Sequence, residues 1–481
     1  MNSRGLSLVA LAALLSGCAS MEGLQTRSQP ADAARLEATR TFEGAKSDAS
    51  AWPAEEWWRA LGDPQLDQLM QEALAGSPSL RLARARVDRA LAFAEAAGAP
   101  LMPQLNGSVD ATRQRFSKNG LIPPPFAGQW RWQNQAQLNF SYEFDFWGKN
   151  AAAYASALGQ AKAAEVDAYA ARLVLASGLA RAYAQLARAY DQLDLARETI
   201  AQREKTRALV AERLQAGLDS RIELKQAEAA LPEARQRAIQ IEETIALGRN
   251  QIAALAGQGP DRGLALERPR LAVTGAPALP SLLPVDLLGR RPDVVAGRWR
   301  VEAAAKDIDN ARAQFYPNVN LIAFAGLQAL GWPKLLELGS RTIGVGPALR
   351  LPIFDGGRLR GNLGERNADY DAAVEQYNQT LVDALRDVAD QLAAFRSLAQ
   401  QAPETRAGVA AAREAYELAL ERYRAGLANY LTVVQAEAQV TAQRGLAADL
   451  RARELDTAIG LVRALGGGYP GGPGPVLTRK D

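Results

Sequence analysis

The chain has 481 residues, with 56 Lys and Arg against 53 Asp and Glu, no histidine and a single cysteine. This near balance, without a basic block, gives nucleic-acid binding no electrostatic support. The lack of histidine removes the commonest acid–base group and metal ligand, and one thiol cannot form an intrachain disulfide. No nucleophile–base pair, metal-ligand cluster or phosphate loop stands out, so neither an enzyme nor a metal site nor a cofactor is expected.

The first residues carry Arg4, an apolar run from Leu6 to Leu15, and then Leu15-Ser16-Gly17-Cys18. That run is too short to span a bilayer and has the flanks of a signal peptide. Leu-Ser-Gly-Cys matches the bacterial lipobox, which predicts a signal over residues 1–17 and Cys18 as the lipidated N-terminus, carrying diacylglycerol and an N-acyl chain. Ala19 in place of Asp favours the outer membrane, by resemblance to sorted lipoproteins. Residues 18–54 are polar and Ala-rich and predict a flexible arm. No later run of eighteen apolar residues occurs, so any membrane span must be built of β-strands.

Asp63-Pro64 predicts a helix start, with proline at the first helical position and the helix continuing to about Ala97, before Gly98 and Pro100. Two period-two segments follow. Leu105, Gly107, Val109 and Ala111 alternate with Asn106, Ser108, Asp110 and Thr112; Ala136, Leu138, Phe140, Tyr142 and Phe144 alternate with Gln135, Gln137, Asn139, Ser141 and Glu143. One apolar and one strongly polar face suit a barrel with lipid outside and water inside. Trp130 and Trp132 suggest an interfacial aromatic girdle. The second half repeats the pattern at Thr342–Leu351 and more weakly at Asn318–Leu327, where Ile322 and Phe324 fall at polar positions. Four strands cannot close a barrel within one chain, so transmembrane strands here force oligomerisation.

After each strand pair comes a very long helical stretch. No proline lies between Asn150 and Gln215, and Leu179, Tyr183, Leu186, Tyr190 and Leu193 form a coiled-coil seam, matched by Leu381, Leu385, Val388, Leu392 and Phe395. Return helices are predicted near 220–256 and 429–465. Glu212–Leu231 aligns without gaps on Glu421–Val440 with nine of twenty positions identical, so the unit is duplicated. The predicted divisions are a first repeat at 55–258, a linker at 259–283, a second repeat at 284–467 and a flexible tail at 468–481.

Several motifs together resemble the outer-membrane factors of the TolC type, in the lipoprotein branch containing the NodT and OprM efflux proteins. They are Trp57-Trp58 with Asp63-Pro64-Gln65-Leu66, Arg290-Arg291-Pro292-Asp293-Val294, Phe315-Tyr316-Pro317, Leu351-Pro352-Ile353-Phe354-Asp355-Gly356-Gly357, and the Ala-Gly-Leu turns at 216–218 and 425–427. The resemblance implies a mixed α/β membrane protein, a homotrimer whose strands form one 12-stranded transmembrane β-barrel continued by a 12-helix periplasmic α-barrel. It implies partners too: a periplasmic adaptor and an inner-membrane transporter of RND or MFS type.

Gly217 and Gly426 suit a left-handed backbone after a last helical turn. By the resemblance they mark the adaptor-docking tip together with Leu218 and Leu427. Arg422 and Tyr423 resemble gate residues, Glu223 stands where an acidic partner is common, and Gln435 replaces the aspartate that forms the narrowest ring in many relatives. The function so implied is an outer-membrane lipoprotein channel of a tripartite efflux system for small amphipathic drugs or toxicants. A conduit for metal cations or for type I protein secretion, and a lipid-anchored coiled-coil scaffold without a pore, are the alternatives.

Overall fold

The computed structural model describes residues 20–37, 39–43, 52–272 and 289–472, so Cys18 lies outside the described residues. Helix α1 (Pro64–Gly76) is capped by Asp63, whose Oδ1 accepts from the Gln65 N–H at 3.0 Å. The single helix predicted across this region is in fact two, because α2 (Pro78–Gly98) starts afresh at Pro78. A proline pushes the residue before it out of the helical region, and Ser77 accordingly sits at φ −63°, ψ 127°. Strands β1 (Gln104–Arg115) and β2 (Trp130–Phe144) then lead into α3 (Lys149–Gln215) and α4 (Arg221–Leu255). A short α5 (Pro260–Leu264) precedes α6 (Pro292–Ala313), β3 (Asn318–Leu330) and β4 (Arg341–Arg350). The described chain ends in α7 (Arg358–Arg424) and α8 (Tyr430–Ala464).

The duplication is reproduced to the residue in the hairpins. Helices α3 and α7 each have 67 residues, α4 and α8 each have 35, and the same sequence offset separates both pairs. At 1.5 Å per residue the longer helices extend about 100 Å. The predicted α3 seam is buried at Leu179, Tyr183, Leu186 and Leu193 and half-buried at Tyr190, and Leu179, Tyr183 and Leu186 pack with Leu66, Leu69 and Met70 of α1. Arginines and carboxylates tie α3 to α8 along their length, at Arg181–Asp456 (3.0 Å), Arg188–Asp449 (2.8 Å), Arg444–Glu198 (2.5 Å) and Arg203–Glu437 (2.8 Å).

Two of the sequence motifs are joints. Asp63 Oδ2 accepts from the Tyr183 hydroxyl of α3 at 2.8 Å and from the Arg270 N–H at 2.7 Å, so one carboxylate caps α1, grips α3 and holds the linker. Arg291 is buried at the start of α6. It donates to both oxygens of Asp293, to Asp387 of α7 at 3.2 Å and to the Ala464 carbonyl at the end of α8 at 3.3 Å. A buried guanidinium needs such a full set of acceptors.

The sheet has the order β1-β2-β3-β4, antiparallel throughout. Its register gathers Leu105, Val109, Leu138, Phe140, Leu321, Ile343, Val345 and Leu349 on one face, and Asn106, Ser108, Asp110, Gln135, Gln137, Asn139, Asn320 and Thr342 on the other. Val109, Ile343 and Val345 are each more than three-quarters exposed on the apolar face, as a lipid-facing surface requires. The irregular β3 pattern has a cross-strand cause. Phe324 and Ile322 stand on the polar face, but their β4 partners are Gly344 and Gly346. The Phe324 ring lies over Gly344 so closely that a Cβ there would meet it at 2.5 Å. Aromatic rings mark both ends of the sheet: Trp132 and Trp332 at 6.1 Å, and at the helical end Trp147 stacked on Tyr316 at 4.6 Å.

Two segments predicted to be flexible are held in their described parts. The N-terminal arm runs along α7, where Arg360 donates to the Ser20 carbonyl, Asp371 accepts from the Arg27 and Ser28 N–H groups, Asn378 pairs with Ala31 and Gln29, and Arg396 donates to the Thr41 and Glu43 carbonyls. Backbone groups of the arm, whose described part forms only two short helical turns of its own at Ala33–Arg35 and Thr39–Phe42, supply much of the attachment. At the start of the tail Gly468, like Gly466 just before it, has positive φ and passes too close to neighbouring backbone (Ala54 and Arg290 respectively) for any side chain, and Tyr469 packs on Tyr169 at 5.3 Å.

Candidate functional site

The predicted site residues converge at the far ends of the two hairpins. Both turns close the same way. The Gly217 N–H bonds to Leu214 O and the Leu218 N–H to Arg213 O, while Gly426 bonds to Tyr423 O and Leu427 to Arg422 O. This double bond pattern ends a helix on a left-handed residue, and the glycines have φ +73° and +75°. Beyond the turns Ser220 and Asn429 cap the return helices. Leu218 and Leu427 are largely exposed, and each has a second exposed apolar residue one turn on, Ile222 and Leu431. The tip thus presents an apolar surface to the solvent.

Tyr423, which resembles a gate residue by sequence, is fully buried within its own chain. Helix phase decides this: Tyr416, Leu420 and Tyr423 share one face of α7 and pack with Val210, Ala227, Tyr430 and Val433. The Tyr423 hydroxyl donates to Asp219 Oδ2, on the turn of the other hairpin. Asp219 in turn accepts from Arg213 Nε at 3.0 Å, and the Arg213 guanidinium lies 4.4 Å above the Tyr423 ring. Burial and the nearby Asp219 carboxylate push the Tyr423 phenol above its ordinary range, so it stays protonated and keeps donating. The hydrogen bond to Asp219 likewise raises Arg213 and keeps it charged.

Glu223 does not pair with Arg422. Its carboxylate accepts from the Ser220 N–H at 2.9 Å in a capping box, and that contact, led by the Ser220 hydroxyl, holds its carboxyl below the usual range. Arg422 is exposed and makes no ion pair among the described residues. Gln435 is exposed on α8, on the face turned away from the buried Val433 and Glu437. The residues missed from sequence are Arg213 and Asp219. Aligning the repeats reveals the signal: Arg213 is the counterpart of Arg422, but Asp219 falls opposite Ala428.

A sheet with one lipid face and one water face, carried on paired helices about 100 Å long, defines a membrane conduit. The comparisons give it a family: the profile described as "Outer membrane efflux protein" matches residues 69–258 and 283–467, and the chain belongs to that family. It is 44% identical over 366 residues to the fusaric acid resistance protein FusA of Burkholderia cepacia, covering 76% of this chain and 69% of that one. It is 31% identical over 486 residues to the multidrug resistance outer membrane protein MdtP of Escherichia coli K12, with 98% of each covered. The crystal structure of the outer membrane protein VceC of Vibrio cholerae matches with a TM-score of 0.82 at 40% identity, over 87% of this chain and 100% of that chain. The protein is thus an outer-membrane efflux channel of the TolC-like fold, a trimer in which a β-barrel continues into a periplasmic α-barrel.

Proposed function

We propose that the protein is the outer-membrane component of a tripartite system that expels small amphipathic organic compounds, and that its duct rests closed at the hairpin tips. The observation that carries the closed state is the pair of tip arginines. Arg213 is bound inside its own chain, whereas Arg422 projects from the inner end of the second hairpin with no acid of its own. In the trimer this guanidinium reaches a carboxylate of the neighbouring chain in our reading, and an Arg–carboxylate bridge across that seam closes the tube and releases on a small rotation. The apolar tip of Leu218, Ile222, Leu427 and Leu431 is the docking surface for a periplasmic adaptor, which links the channel to an inner-membrane pump of RND or MFS type. The names of FusA and MdtP support drugs and toxicants as the cargo. Lipidation at Cys18 anchors the arm beside the barrel, consistent with Ser20 held by Arg360 at the barrel end of α7.

Single-channel conductance in a planar bilayer tests this reading. Small currents in the native protein that rise severalfold in Arg422→Ala support a duct closed at its tip. A wide-open native channel indifferent to that change removes Arg422 from the gate, and no current from a well-folded trimer removes the duct.

A further inference from the structure

The conduit reading leaves one part of its water face unexplained: the apolar pair Ile322 and Phe324 in the middle of β3. Both are roughly two-fifths exposed, on the side of the sheet opposite Leu138, Val345 and the rest of the lipid face. Strand β3 lies between β2 and β4, so a neighbouring chain adds its strand elsewhere, at β1 or β4. Neither lipid nor a partner strand reaches this face. Only what passes through the lumen covers it.

The surroundings give the patch a shape. Phe324 rests on Gly344, and a Cβ placed on Gly346 beside it would meet nothing within 4 Å, which leaves a bare peptide floor flanked by the ring and by Ile322. On the other side, in the same cross-strand rows, stand Asn139 opposite Phe324 and Ser141 opposite Ile322, with Asn106 and Gln104 beyond them on β1. A ring edge, an aliphatic flank, a flat floor and uncharged hydrogen-bonding groups form a surface that accepts a planar aromatic body and solvates its polar substituents. We infer that Ile322, Phe324 and Gly346 form a contact site for planar aromatic solutes inside the barrel, present three times at one height in the trimer. This rests on the conduit reading and gives that conduit a preference of its own for aromatic cargo.

The test is current block of the open channel, recorded in an Arg422→Ala background with probes added from the loop side. Ethidium supplies a planar aromatic cation and tetrabutylammonium a cation without a ring. Ethidium is expected to block at lower concentration, and Phe324→Leu, which keeps bulk over Gly344, is expected to raise its half-blocking concentration about fivefold while leaving tetrabutylammonium unchanged. Phe324→Tyr keeps the ring and is expected to retain the block. Should Phe324→Leu fail to give an SDS-resistant trimer, Ile322→Asn preserves the Phe324–Gly344 contact and is expected to act in the same direction more weakly. Equal shifts for both probes, or none, would overturn the site and leave Phe324 as a filler above Gly344. No current from any variant would instead strike the conduit reading itself.

Discussion

The two hairpin tips are built alike and finished differently. Arg213 and Arg422 stand at equivalent places, each giving its carbonyl to the leucine beyond the turn. On the first tip the turn also supplies Asp219, so the guanidinium is bound within its own chain and braced by Tyr423. On the second tip Ala428 takes that place, and the guanidinium points outward. Duplication therefore left one arginine holding the two hairpins together and one exposed to solvent. The same residue type at the same position acquires its role from a partner six residues away.

Changes that break this contrast have a natural order. Tyr423→Ala empties a fully buried ring site and frees Asp219, and is expected to destabilise the assembly by about 3 kcal/mol, read as a lower temperature of trimer dissociation. Asp219→Ala leaves Arg213 with no carboxylate and is expected to cost about 2 kcal/mol, with larger single-channel currents. Gly217→Ala and Gly426→Ala force a side chain into the left-handed region and are each expected to cost about 1 kcal/mol by the same thermal measurement.

Arg422→Ala sharpens the comparison most, because it is expected to change dissociation temperature little, within about 0.5 kcal/mol, while still raising conductance. A pH series isolates Tyr423. Its raised folded pKa means that its contribution is complete below the unfolded value of 10.0 and is lost as pH rises beyond it, so the tip should loosen only in strong alkali. A Tyr423→Phe protein, tested by the same conductance titration, should lack that alkaline step.

Much of the architecture was legible because its constraints are local. Strict alternation in β1 and β2 follows from lipid on one side and water on the other, and the long proline-free stretch fixed the length of α3. Strand β3 was obscured because Ile322 and Phe324 are compensated by Gly344 and Gly346, which sit on a different strand. The break at Pro78 was visible as a residue type but was overridden by an apolar pattern that continues through it. At the tip, the glycine turns were readable from backbone preference. The capping role of Glu223 was legible too, since Ser220-x-x-Glu223 is itself the spacing of a capping box. The burial of Tyr423 was readable from Leu420 and Tyr416, one and two turns back on the same face of the helix. Arg213 with Asp219 required the two repeats to be compared for what they do not share.

Threefold symmetry changes what the proposed Arg422–carboxylate bridge amounts to. One such link, at about 2 kcal/mol, would leave the tip of a single chain open a few per cent of the time. If three such links must release together, as the proposed gate requires, they sum to about 6 kcal/mol and leave the aperture open in only about one molecule in twenty-five thousand. Weakening all three at once by as little as 1 kcal/mol each, through contact with a docked protein, raises that fraction more than a hundredfold. A modest bond repeated around an axis thus behaves as a leak-tight seal that a correspondingly modest, symmetric push can undo.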